Sequence, residues 1–213
     1  MASKILFLLA FLLFLFANPS VGQLANEQQA STESVRYLPT DSSLSQHPLP
    51  AWYQDAKLGI FIHWGLYSVP AWAKGTKTSL EDILANGDGL ERFANNPYAE
   101  WHLNSLRIEG SSTAEYHQEA FGPDFSYYNF VPRFNEAIRA WQPAEWAELF
   151  KEIGAGYVVL TTKHHDGFLL WPSDTPNSYQ ENYFIERDLV GELTQAVTDQ
   201  GMRMGLYYSS GLD

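Results

Sequence analysis

The sequence predicts an α/β fold, namely part of a (β/α)8 barrel, and two observations lead to that prediction. Three short apolar runs have the composition of buried strands, and each ends in polar or aromatic residues. In the second half of the chain, helix, glycine turn, strand and polar loop follow one another twice, as in a β/α series. Because such folds bind ligands at the carboxyl ends of their strands, the three strand ends predict one small-molecule pocket. These strand ends are FIHWG (61–65), KHHDGF (163–168) and YYSSG (207–211).

The amino terminus has the pattern of a secretory signal peptide. Lys4 precedes an apolar run, Ile5–Phe16, that is too short to span a bilayer comfortably, and small residues favour cleavage before Gln23. We therefore expect a secreted or periplasmic protein, or a lysosomal one if the organism is eukaryotic. The predicted segments are a signal peptide over residues 1–22, a flexible lead-in rich in Gln, Ser and Thr over 23–47, and the barrel portion over 48–213.

The first predicted strand is Leu58–His63, and about eighty residues separate it from the next β/α unit. This distance far exceeds a usual loop between strand and helix, so we expect a long helical insertion after strand 1. Residues 97–106 and 113–121 of the insertion have a helical pattern. Because such insertions lie over the carboxyl face of a barrel, they can contribute to the pocket. The candidates are Tyr98, Glu100, Trp101 and His102.

Two helix–strand units follow the insertion. Pro143–Ile153 has apolar residues at helical spacing, and Tyr157–Thr162 is apolar on both faces, as in a covered parallel strand. Asp188 is a suitable N-cap for the second helix, Gly201 ends that helix, and Met202–Ser209 is the third predicted strand. A complete barrel needs eight strands and usually about 250 residues. We therefore expect the sequence to be part of a longer enzyme.

Composition narrows the possible partners. The 213 residues carry a net charge of −12, and 45% of them are apolar. An acidic chain without a basic cluster is unsuited to binding nucleic acid, because phosphate recognition needs a basic face. We expect no membrane association once the signal peptide is cleaved. Since the chain has no cysteine, an exported fold has to depend on its core instead of disulfides.

The adjacent residues His164 and His165 are the strongest candidates for chemistry. Neighbours within a strand point to opposite faces, but both rings can reach one pocket if the strand ends before them. The following Asp166-Gly167 is a strong turn signal. Such a pair can bind a metal, act as acid and base, or donate hydrogen bonds to hydroxyl groups. Metal-dependent barrel hydrolases usually carry His-x-His on the first strand, whereas this chain has His63-Trp64-Gly65. We favour hydroxyl recognition and keep two alternatives, a purely structural role for the pair and a metal-dependent barrel hydrolase.

The aromatic content favours a sugar ligand, because sugar rings present C–H faces that stack on aromatic rings. Aromatic residues are abundant near the predicted strand ends and in the insertion. We expect Trp64 to face the pocket, and Trp171 fits either the pocket or the core. Trp146 lies on the core face of its helix, and Trp141 is expected to pack beside it.

The next candidates for chemistry are the carboxylates. A retaining glycosidase needs two carboxyl groups about 5–5.5 Å apart. Asp166 is expected to be a structural turn residue, and Glu100 is better placed to bind hydroxyl groups than to act as a nucleophile. Glu145 and Glu148 lie on the exposed side of a predicted helix. The sequence therefore shows no convincing pair of catalytic carboxylates.

Several stretches closely resemble the α-L-fucosidases of glycoside hydrolase family 29. The resemblance covers about residues 50–213, and HWG together with KHHDGF is highly specific for that family. The stretches that carry it are Ala51–Trp72, Pro97–Arg107, Ala144–Ser173 and Arg187–Asp213.

This resemblance implies a retaining exo-α-L-fucosidase that releases terminal α-L-fucose from glycans or glycoconjugates, with no metal or organic cofactor. It implies a (β/α)8-like catalytic domain followed by a β-sandwich. The nucleophilic aspartate and the acid/base are expected after residue 213, so the chain alone is expected to be inactive. A catalytically inactive sugar-binding homologue is a further alternative. The residues implied to bind fucose are His63, Glu100, Trp101, His164, His165 and Tyr207.

Overall fold

The computed structural model describes residues 36–75, 85 and 93–210. The chain divides into two units, Met1–Pro48 and Leu49–Asp213. In the first unit the described residues form one short helix, α1 (Asp41–Leu44), within the predicted lead-in. The predicted signal peptide, residues 1–22, lies outside the described residues.

The second unit is built on a parallel three-stranded sheet. Its strands are β1 (Gly59–Ile62), β2 (Tyr157–Lys163) and β3 (Arg203–Tyr208), in the order β1-β2-β3. All three predicted strands are confirmed, with ends that differ by one residue at most. Because the strands are parallel, their carboxyl ends lie along one edge of the sheet, which positions the site.

Helices connect the strands, and several begin and end as the sequence predicts. The side chain of Asp188 accepts a hydrogen bond from the backbone N–H of Gly191 at 2.8 Å and so caps the helix after it. Gly201 follows that helix with a φ of 71°, a left-handed conformation that glycine adopts without strain. The α-helices of this unit are α2 (Ala51–Ala56), α3 (His102–Leu106), α4 (Ser112–Phe121), α5 (Val131–Ala137), α6 (Pro143–Glu152) and α7 (Leu189–Asp199), and the 3-10 helices are Leu66–Ser68, Ala99–Trp101, Tyr127–Phe130 and Ile138–Ala140.

One face of the sheet is buried and the other is open. Val158 and Leu160 of β2 lie in one core cluster with apolar residues of α6 and α7. On the opposite face, Phe61 of β1 is 55% exposed. The predicted apolar stripe of α6 is only half covered, because Leu149 and Ile153 are exposed.

These elements establish an α/β fold with a parallel sheet, and three strands do not by themselves close a barrel. In the described part of the chain, no helix combines the length and the apolarity that crossing a membrane requires.

Candidate functional site

His164 and His165 lie in a tight turn directly after β2. The strand ends at Lys163, and the backbone N–H of Gly167 donates to the carbonyl of His164 at 3.1 Å. Gly167 has a φ of 72°, which favours glycine at this position. The two imidazole rings have centroids 4.5 Å apart, so both occupy the same edge of the sheet. This is the arrangement that the turn signal in the sequence predicted.

His63 and Glu100 bring a second strand end and the insertion to this edge. The Nδ1 atom of His63 lies 2.8 Å from an Oε1 oxygen of Glu100, and the His63 ring lies 5.7 Å from that of His164. A carboxylate only accepts hydrogen bonds, so Nδ1 of His63 carries a proton. The Nε2 atom is then left to accept or, if the ring is charged, to donate. The two side chains are 43% and 18% exposed, so a ligand can reach them.

Trp101 and Ser209 fix the ring of His165. The Trp101 ring lies 4.5 Å from it, tilted by 48°. The hydroxyl oxygen of Ser209, which follows β3, lies 2.8 Å from Nδ1 of His165. The imidazole is thereby held between the insertion and the end of the third strand.

Tyr207, and not Tyr208, points toward the histidines. The Tyr207 ring lies 6.0 Å from the His164 ring. The Tyr208 ring instead packs near Trp171, at 6.3 Å, and below the ammonium group of Lys163, at 4.9 Å. This division follows from alternation along β3, which turns neighbouring side chains to opposite faces.

Six residues therefore form one connected group, which we call the strand-end cluster. It combines three imidazoles, a carboxylate, a phenol and an indole. Such groups donate and accept hydrogen bonds and offer an aromatic surface, which suits a small ligand rich in hydroxyl groups. Its members are His63, Glu100, Trp101, His164, His165 and Tyr207.

The prediction that Trp64 faces this pocket is wrong. Its ring packs 5.0 Å from Trp141 and 5.1 Å from Trp146, and these two tryptophans form the predicted core contact at 5.4 Å. The three tryptophans line a different cavity of about 620 Å³. Trp64 directly follows His63, but its side chain points away from the cluster and toward the core.

His102 also lies away from the cluster, although its neighbours in sequence reach it. Its Nε2 atom lies 3.1 Å from Nδ1 of His117, and Nε2 of His117 lies 2.8 Å from the carbonyl oxygen of Phe125. The carbonyl only accepts, so Nε2 of His117 carries a proton. Burial lowers the pKa of His102 to about 4, which keeps the ring neutral.

Two residues that support the cluster were missed by sequence reasoning. The hydroxyl of Thr161, within β2, accepts a hydrogen bond from the backbone N–H of Trp64 at 3.0 Å and thereby ties two strand ends together. The buried ring of Tyr67 lies 5.5 Å from the ring of His164 and packs against it. Burial raises the pKa of Tyr67, so its phenol stays neutral. The only signal for Tyr67 was its position shortly after HWG.

Among the described residues, no group of three or more His, Asp or Glu side chains is placed to hold a metal ion. The metal-dependent alternative therefore has no ligand set in that part of the chain.

Both sequence and structure are similar to those of glycoside hydrolases. The chain belongs to the α-L-fucosidase family, whose model matches residues 23–211. It is 42% identical over 183 residues to the α-L-fucosidase of Dictyostelium discoideum, a match that covers 83% of this chain and 34% of the relative. It is 40% identical over 206 residues to human tissue α-L-fucosidase, covering 95% of this chain and 36% of the relative. The chain thus spans about a third of the length of these curated relatives.

Solved structures agree with this assignment. The α-fucosidase of Thermotoga maritima in complex with fucose is 46% identical, with a TM-score of 0.66, and the match covers 84% of this chain and 38% of that chain. An α-L-fucosynthase of the same organism, in complex with a disaccharide of fucose, is 48% identical, with a TM-score of 0.68 and coverage of 84% and 39%.

Proposed function

We propose that this chain carries the sugar-recognition part of the active site of a retaining exo-α-L-fucosidase. The enzyme would release terminal α-L-fucose from glycans or glycoconjugates. The observation that carries the proposal is the convergence of six polar and aromatic side chains, from all three strand ends and the insertion, in the strand-end cluster. The relatives named above support it, since one solved relative is bound to fucose.

In this proposal the cluster binds the hydroxyl groups of fucose. Glu100 accepts hydrogen bonds from hydroxyls while it holds His63, and the imidazoles of His164 and His165 donate or accept. Trp101 lies beside the carboxylate and covers the sugar ring. Hydroxyl contacts that strengthen in the oxocarbenium-like transition state contribute several kcal/mol to glycoside hydrolysis.

The bond-breaking groups come from elsewhere in the family's catalytic domain. Retention requires a carboxylate that attacks the anomeric carbon while an acid protonates the leaving oxygen. The acid, now deprotonated, then removes a proton from the water that hydrolyses the glycosyl-enzyme intermediate. Among the described residues, Glu100 is paired with His63, and Asp166 is buried and accepts a hydrogen bond from Tyr127. We therefore assign the nucleophile and the acid/base to parts of the catalytic domain that this chain does not cover.

The same proposal treats β1, β2 and β3 as the first strands of a (β/α)8 barrel. Their parallel, consecutive order supports it. So does the open sheet face at Phe61, which would become the barrel interior, and the exposed side of α6, which a further unit would cover. Residues 48–213 would then be the amino-terminal portion of the barrel, preceded by a lead-in over 23–47.

We place the mature enzyme outside the cytoplasm, after removal of residues 1–22 as a signal peptide. The Lys4 and Ile5–Phe16 pattern supports export. A human relative named plasma α-L-fucosidase, 36% identical over 180 residues, is consistent with it.

A hydrolysis assay with stereochemical readout tests the function. The full-length protein is expected to release nitrophenol from 4-nitrophenyl α-L-fucoside, and NMR is expected to show α-L-fucose as the first product, because retention preserves the anomeric configuration. Chelator treatment is expected to leave the rate unchanged. Binding of L-fucose without turnover would instead identify a sugar-binding homologue, and loss of activity with the chelator would favour the metal-dependent alternative.

A further inference from the structure

Asp166 directly follows His164 and His165 in the turn, and hydrogen bonds hold both its side chain and its backbone. The Asp166 carboxylate is buried, and its Oδ2 atom accepts a hydrogen bond from the hydroxyl of Tyr127 at 2.7 Å. Its Oδ1 atom accepts from the backbone N–H of Phe168 at 3.1 Å. These two bonds fix the side chain at both oxygens.

The backbone of the same residue is held separately. The hydroxyl of Tyr128 donates to the carbonyl oxygen of Asp166 at 2.6 Å. Tyr127 and Tyr128 are neighbours in the 3-10 helix Tyr127–Phe130, and their rings meet at 87°, with centroids 5.5 Å apart. One tyrosine therefore fixes the side chain of Asp166 and the next fixes its backbone, so that the turn has little freedom to rotate.

Burial makes this arrangement persistent. Tyr127 is 2% exposed, and burial beside Asp166 raises the pKa of its phenol, so the hydroxyl keeps its proton and remains a donor. Burial also raises the pKa of Asp166 to about 6, while the hydrogen bonds from Tyr127 and Phe168 oppose that rise. Above that pH the carboxylate is charged, and it needs these donors because a buried charge without partners is costly.

The tyrosines belong to the same insertion that supplies Glu100 and Trp101. The insertion thus contacts the histidine turn from two directions, with the Trp101 ring on His165 and the tyrosines on Asp166. The ring of His102, which directly follows Trp101, lies 5.9 Å from the ring of Tyr127 and connects the two contacts.

We propose that Tyr127, Tyr128 and Asp166 are positioning residues of the active site, which hold the His164–His165 turn at the distance and angle that sugar binding requires. The inference rests on the proposed function of the histidines. It adds that the insertion after β1 sets the geometry of a turn about forty residues further along the chain. Misplacing a reacting or binding group by about 1 Å lowers the rate roughly a hundredfold, so the loss of either tyrosine hydroxyl is expected to lower kcat.

Tyrosine-to-phenylalanine variants of the full-length protein test the proposal. Tyr127→Phe and Tyr128→Phe are each expected to lower kcat/KM for 4-nitrophenyl α-L-fucoside about tenfold or more, mainly through kcat. Tyr116→Phe is the matched control, because Tyr116 lies in the same insertion and packs on Trp72 through its ring, stacked at 4.3 Å. If Tyr127→Phe fails to fold, the result for Tyr128→Phe decides the test. Tyr128→Phe removes only the hydrogen bond to the backbone carbonyl of Asp166, so the buried carboxylate keeps its bond from Tyr127. Values of kcat/KM within twofold of the control for a folded Tyr128→Phe protein would overturn the proposal.

A second readout does not need catalysis. In protein labelled with ¹⁵N-histidine, both variants are expected to shift the imidazole resonances of His164 and His165, whereas Tyr116→Phe is expected to leave them unchanged. Unmoved resonances of the pair would refute the positioning role even if the protein does not hydrolyse fucosides. Shifted resonances in a protein without turnover would support the role and count against the proposed function alone.

Discussion

Histidine rings lie next to each other in two places, at the end of β2 and inside the insertion. His164 and His165 meet a carboxylate-bound imidazole, an indole and a phenol at an open edge of the sheet. His102 and His117 bond to each other, and the chain of hydrogen bonds ends at the carbonyl of Phe125. In our proposal, the same residue type serves ligand recognition at the end of β2, whereas it serves internal packing in the insertion.

The difference between the pairs comes from the partners that surround them. Both ring nitrogens of His117 have partners within the protein, since Nδ1 lies 3.1 Å from Nε2 of His102 and Nε2 lies 2.8 Å from the carbonyl oxygen of Phe125. The rings of the strand-end pair lie beside half-exposed groups such as His63, which a hydroxylated ligand can reach. Burial alone does not separate the two pairs, because His164 is itself buried.

The largest expected effect concerns the strand-end pair. Replacing His164 with Phe in the full-length enzyme is expected to lower kcat/KM for an aryl α-L-fucoside about a hundredfold, because contacts worth several kcal/mol in the transition state would be lost. His117→Phe, in the buried pair, is expected instead to lower the free energy of unfolding by about 2 kcal/mol, because the carbonyl of Phe125 loses its donor. Steady-state kinetics and urea denaturation measure the two effects. An unchanged kcat/KM for His164→Phe would break the comparison.

The buried pair is also expected to make stability depend on pH. The pKa of His102 is about 4 in the folded state and about 6.5 when unfolded, so its neutral ring favours folding fully above pH 6.5. As the pH falls from 6.5 to 4, His102 becomes protonated in the unfolded chain but stays neutral in the folded chain. The free energy of unfolding therefore decreases by up to about 3 kcal/mol.

Wild type and His102→Phe have to be compared to isolate this effect. Asp166, with its pKa raised from 3.8 to about 6, stabilises the fold as the pH falls through the same range and so opposes it. The unfolding free energy of each protein is measured by denaturation at several pH values. The value for wild type minus that for His102→Phe is expected to fall as the pH falls. A difference that stays flat from pH 6.5 to 4 would contradict the neutral assignment of His102.

The smallest expected effect tests which tyrosine of β3 belongs to the strand-end cluster. Tyr207→Phe is expected to lower kcat/KM about fivefold, which corresponds to one lost hydrogen bond of about 1 kcal/mol. Tyr208→Phe is its matched control on the opposite face of β3, beside Lys163, and is expected to leave kcat/KM within twofold of wild type. Equal losses in both variants would show that the face of β3 has been misassigned.

Local patterns were sufficient to predict the framework of the fold. The three strands followed from short apolar runs, of which Tyr157–Thr162 is apolar on both faces, and α7 followed from Asp188 and Gly201 at its ends. These signals act within a few residues, so a sequence displays them directly. The side of α6 that stays exposed was not predictable, because periodicity shows which residues share a face but not what covers it.

The site was predictable where a motif coincided with a strand end, as for His63 and His164. It was not predictable where the deciding contact joins distant segments. Trp64 was misplaced because the pattern located the end of the strand but not the direction of each side chain after it. His102 and Asp166 have their partners fifteen and about forty residues away, at distances that no local period encodes.

A crystal structure of the full-length protein with L-fucose bound tests the central claim most directly. We expect fucose hydroxyl groups within about 3.2 Å of polar atoms of His63, Glu100 and the His164–His165 pair. Fucose bound at another place, with these side chains making no contact to it, would contradict the account.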